Sequence, residues 1–85
     1  MQEDYEIIVK HNHRIDSVRD LAKEVCSHIS MLNFKFKIED TSEFNPLYAL
    51  EVRICNGESL KNFSPYLPYQ RRSLNNELTS LIKGN

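Results

Sequence analysis

From Tyr5 to His11 the chain alternates, with Tyr5, Ile7 and Val9 on one face and Glu6, Ile8 and Lys10 on the other. A period of two marks a strand with one buried face. Ile8 breaks the alternation and gives the second face an apolar residue. A polar stretch, Asn12 to Asp16, then leads into another rhythm. Val18, Leu21, Ala22, Val25, Cys26, Ile29 and Leu32 recur at helical spacing and form one apolar stripe. Arg19, Asp20, Lys23, Glu24, Ser27 and His28 fall opposite. Asp16 or Ser17 is expected to cap this helix, and Ser17 with Asp20 resembles a capping box.

Phe34, Phe36 and Ile38 alternate with Lys35, Lys37 and Glu39 in a second strand. Asp40 to Pro46 has turn composition. Tyr48, Leu50, Val52 and Ile54 then alternate with Ala49, Glu51, Arg53 and Cys55. Two alternating runs joined by a short polar segment predict an antiparallel hairpin, with Lys35 and Lys37 facing Glu51 across the strands. Asn56-Gly57 marks another turn. Glu58 to Ser64 is a poor strand and is expected to be irregular, anchored by Leu60 and Phe63. Pro65 and Pro68 suit the start of a second helix. Its narrow stripe is Leu67, Arg71, Leu74, Leu78, Leu81 and Ile82, with Gly84 as the C-cap candidate.

The predicted order is β-α-β-β-α in a single α+β domain spanning residues 1–85. The first strand, helix and second strand form a crossover, expected to be right-handed. The third strand is expected between the other two, giving a three-stranded, mainly antiparallel sheet with two helices packed on one face. Such a sheet has open edges, through which a homodimer can form.

Composition narrows the function classes. An 85-residue chain folds alone with little to spare, at a stability on the order of 5 kcal/mol. Its net charge of −1 gives no global field to recruit nucleic acid or an anionic membrane. No apolar run approaches the roughly 20 residues of a membrane span. Met1 to Asp4 is polar and acidic, unlike a signal peptide, so a cytoplasmic location is expected. Cys26 and Cys55 do not make a disulfide framework and are read as reduced thiols.

The parts of an active site are missing from the pattern. His11, Asn12 and His13 spell a nuclease-like tripeptide, but that chemistry needs dispersed residues on a dedicated scaffold. His11, His13, Cys26 and His28 contain zinc-ligand types. Cys26 and His28, however, point to nearly opposite sides of a helix. Neither cysteine has a local base or helix N-terminus to activate it. Two glycines cannot build a phosphate cradle, and the acidic residues are scattered. No catalytic residue, cofactor or metal is therefore expected, and the chain is read as a non-enzyme.

Two binding modes remain. Ser64 to Tyr69 holds two prolines and two tyrosines just before Arg71 and Arg72. Tyrosine beside arginine is the composition of an interface hot spot. Tyr66, Tyr69, Arg71 and Arg72, with Phe44 on the predicted hairpin turn, are the candidate partner-binding residues. The leading expectation is a small protein-binding module: an adaptor, regulatory subunit or inhibitor of a larger protein machine. The alternative is nucleic-acid binding through Lys35, Lys37, Arg53, Arg71 and Arg72. Against it, Phe34, Phe36 and Tyr48 share the core-facing phase, so the open sheet face lacks the aromatics that stack bases.

Overall fold

The computed structural model describes residues 5–41 and 50–83. The elements are β1 (Tyr5–His11), α1 (Asp16–Met31), β2 (Lys37–Asp40), β3 (Leu50–Asn56), β4 (Ser59–Phe63) and α2 (Pro68–Lys83). The sheet order is β2-β1-β3-β4. β1 and β2 run parallel, from Ile8 opposite Lys37 to His11 opposite Asp40. β1 and β3 run antiparallel, from Tyr5 opposite Asn56 to His11 opposite Leu50. β4 folds back antiparallel on β3.

Ile7 and Val9 of β1 stand on the same face as Ile54 and Val52 of β3 and Phe63 of β4. The buried helical residues Val18, Ala22, Val25, Ile29, Leu74, Leu78 and Leu81 join them in one core. Both helices thus cover one face, as predicted. Each fully buried aliphatic side chain contributes about 1.5–3 kcal/mol through removal from water. At the rim of this layer Lys61 Nζ donates to Glu77 Oε1 at 3.0 Å, linking β4 to α2.

Three expectations are corrected. Among the described residues the sheet has four strands rather than three, and it is mixed. β1, not the third strand, lies between its neighbours, so the predicted hairpin of the second and third strands is not formed. Alternation in Phe34–Ile38 says which face is apolar but not which strand lies beside it, and the parallel crossover takes that place. The stretch after Asn56-Gly57 is a strand after all. Four of the five β4 residues are exposed and only Phe63 is buried, so an edge strand leaves almost no apolar pattern. Gly57, at φ 63°, supplies the left-handed residue of the β3–β4 turn.

The helix ends also differ from expectation. Neither Asp16 nor Ser17 caps α1. The N-cap residue is Ile15, in extended conformation and without a side-chain bond. Asn12, a buried polar residue, organises the entry instead. Its Oδ1 accepts the Arg14 N–H at 3.0 Å and its carbonyl accepts the Ile15 N–H at 3.2 Å. Asp16 sits in the first turn, where a carboxylate suits the positive end of the helix dipole, and binds Arg19 at 2.8 Å. At the other end Asn33 takes φ 66° and the Phe34 N–H returns to the Ile29 carbonyl at 3.2 Å. This six-to-one bond closes a Schellman motif. Phe34 then meets Tyr5 edge-to-face at 5.4 Å between ring centroids. Ile82 of the predicted second stripe is exposed, and Gly84 lies outside the described residues.

Candidate partner-binding surface

β4 ends on buried Phe63, and the chain turns at once into α2. The turn is Ser64-Pro65-Tyr66-Leu67, closed by the Leu67 N–H donating to the Ser64 carbonyl at 2.9 Å. Proline at the second position presets the backbone angle such a turn needs. Pro65 is fully buried and anchors the turn. The Ser64 N–H donates to Gln70 Oε1 at 3.4 Å, and Arg71 Nε donates to the Pro65 carbonyl at 3.4 Å. The Leu67 carbonyl accepts the Gln70 and Arg71 N–H groups, both at 3.0 Å, and so starts α2.

With its backbone fixed in this way, the segment presents its large side chains to solvent. Tyr66 is 46% exposed, Leu67 38% and Tyr69 65%. Arg72, one residue beyond the turn's own hydrogen bonds, has no partner among the described residues. The first turn of α2 holds no acidic residue. The helix dipole and the two arginines therefore leave this corner positive.

The two arginines differ in surroundings. Arg71 lines a groove of about 200 Å³ between the helices, together with Glu24 and His28 of α1 and Leu74 of α2. Arg72 does not line it. Leu67 belongs with the tyrosines although its place in the helical stripe assigned it to the core. The buried turn at Pro65, not the helical spacing, sets its exposure. Phe44 lies outside the described residues.

The basic residues of the alternative reading do not form one patch with the arginines of α2. Lys37 and Arg53 stand on the sheet face opposite the helices, in register with Ile8. Lys37 Nζ binds Glu6 Oε2 at 3.2 Å, rather than the expected Glu51. Arg53 is flanked by Asn62 Oδ1 at 3.2 Å and Glu51 Oε2 at 4.0 Å. The Lys35 backbone N–H donates to the Tyr5 hydroxyl at 3.2 Å. Lys10, Glu39 and Glu51 complete a face of mixed sign.

The two cysteines lie apart, while His11 and Cys26 line one groove. Cys26, half-buried on α1, and Cys55, on the open face beside Glu6, are divided by the sheet. Burial raises the Cys26 pKa and so disfavours its thiolate. His28 lies at the interhelical groove. His11 ends β1 with its Nδ1 buried and unpaired among the described residues. His13 turns instead to Asp40, a pairing that only the β1–β2 register reveals. No three His, Cys, Asp or Glu side chains among the described residues cluster as metal ligands. No described helix is long and apolar enough to cross a membrane. Comparison with family models, curated proteins and solved structures finds no match for this chain.

Proposed function

We propose that the chain is a non-enzymatic, cytoplasmic protein-binding module: an adaptor, regulatory subunit or inhibitor that docks on a larger protein. The contact is made by Tyr66, Leu67, Tyr69 and Arg72. The observation that carries this reading is the exposure of three large apolar side chains on a backbone fixed by buried Pro65. A backbone already fixed has less freedom to lose on binding. Tyrosine and arginine are the residue types that dominate interface energetics. The partner is expected to bring carboxylates to Arg72 and an apolar residue to the tyrosine pair, because the first turn of α2 carries no acidic residue.

Affinity capture from the host lysate, with and without nuclease, tests the reading when run beside a Tyr69→Ala, Arg72→Ala double variant. A specific protein that survives nuclease and is lost with the double variant supports it. Equal capture by the variant removes this surface from the contact. Loss of all captured material on nuclease treatment, with steep salt dependence, favours nucleic-acid binding through Lys35, Lys37, Arg53, Arg71 and Arg72.

A further inference from the structure

Among the described residues no strand lies beyond β2, which forms one edge of the sheet, at the opposite end of the strand order from β4. Thr41 N–H donates to the His11 carbonyl at 3.0 Å. Backbone groups along a strand point alternately to either side. Those of Glu39 and Lys37 therefore point to β1 with Thr41's, and those of Ile38 and Asp40 point outward. Ile38 is 57% exposed, a large apolar side chain on an edge strand. It stands on the helix-covered face, in register with Val9. There it borders an apolar groove of about 530 Å³ that also involves Ala22, Cys26 and Phe36. On the opposite face Lys37 and Glu39 flank it with opposite charges.

We propose that two copies of the chain form a two-fold dimer by pairing β2 with β2, antiparallel and centred on Ile38. In that register Ile38 lies opposite its own symmetry mate. Its outward N–H and carbonyl, unpaired among the described residues, bond their counterparts. Lys37 lies opposite Glu39 of the second copy, and Glu39 opposite its Lys37, so both cross-strand pairs are attractive. A two-fold contact must be self-complementary, and a positive and a negative residue placed symmetrically about an apolar centre meet that condition. The second Ile38 comes to lie beside the first at the groove, and both lose water contact. The β4 edge lacks this pattern. Its middle residue, Lys61, would face another Lys61.

This pairing is independent of the Tyr66 surface and leaves that surface free. Its test is sedimentation equilibrium of the full chain, with circular dichroism to follow folding. The wild type is expected to dimerise. Lys37→Glu or Glu39→Lys alone places like charges opposite each other twice and should weaken the dimer roughly tenfold or more. Glu39 has no side-chain partner among the described residues, so its substitution leaves the monomer intact. Both substitutions in one chain restore attraction and should restore the dimer. Mixing the two single variants should yield a heterodimer, because each supplies the charge that the other lacks. A wild type that stays monomeric at its highest soluble concentration overturns the proposal. So does a dimer indifferent to both single substitutions, or a folded double variant that does not reassociate.

Discussion

His13 Nδ1 lies 2.5 Å from Asp40 Oδ1, and the His13 backbone N–H reaches the same oxygen at 3.5 Å. The contact ties the loop before α1 to the end of β2, across 27 residues of chain. The hydrogen bond from the imidazole holds the Asp40 pKa below its ordinary value. Partial removal from water opposes this, and the His13 N–H and the charges of His13 and His11 add smaller effects in the lowering direction.

A carboxyl group with a depressed folded-state pKa stabilises the fold above its unfolded pKa, about 3.9 for aspartate, where the contribution is complete. The contribution is lost as pH falls from there through the depressed folded value. Asp40→Asn should therefore lower Tm at neutral pH and make the acid arm of the Tm–pH curve shallower. Both residues are about half exposed, so the effect is small. An acid arm identical to that of the wild type would show that the pair does not contribute.

Leu78 is fully buried between α2 and the sheet, whereas Leu21, expected on the buried stripe of α1, is only partly buried at the interhelical groove. Leu78→Ala should cost about 2–5 kcal/mol through the cavity it leaves, and Leu21→Ala about 1–2 kcal/mol. Urea unfolding of the two variants compares them directly. The reverse order would mean that α1 is rotated about its axis.

Asn33 closes α1 in left-handed conformation. Glycine adopts that conformation without strain, so Asn33→Gly should hold or raise stability by up to about 1 kcal/mol. Asn33→Val forces a β-branched residue into the same angles and should cost about 1–2 kcal/mol. The shift in denaturant midpoint reads both. Equal midpoints for the two variants would remove the cap from the account of how α1 ends.

Arg71 and Arg72 are neighbours in sequence with different work. Arg71→Ala removes the bond from Nε to the Pro65 carbonyl and should cost about 0.5–1 kcal/mol. Arg72→Ala, which breaks no contact among the described residues, should stay within about 0.5 kcal/mol of wild type. Differential scanning calorimetry separates them. A larger loss at Arg72 than at Arg71 would reverse the assignment of roles.

The helices and the buried faces of β1 and β3 were legible because their apolar residues repeat at the period of the element that buries them. Pairing was not. Phe36 and Ile38 satisfy an alternating pattern equally well beside β1 or beside β3, and only the three-dimensional crossover decides. β4 escaped because Ser59, Leu60, Lys61 and Asn62 are all exposed and carry no binary pattern. The candidate surface was half legible. Tyr66, Tyr69 and Arg72 are exposed. Leu67 was assigned inward by its spacing, although the Pro65 turn fixes it outward. The Ile38 edge stayed hidden because edge and central strands can show the same alternation.

The central position of β1 also bears on how the chain reaches its fold. β1 is separated from its antiparallel neighbour β3 by α1 and β2, and Tyr5 must find Asn56. Local units can form early: α1, α2 and the β3–β4 hairpin. The sheet itself waits on a long-range encounter, which slows folding relative to a helical protein of the same length. On a ribosome, β1 leaves the exit tunnel before β3 is available to pair with it. During that interval Ile7 and Val9 depend on α1 for cover.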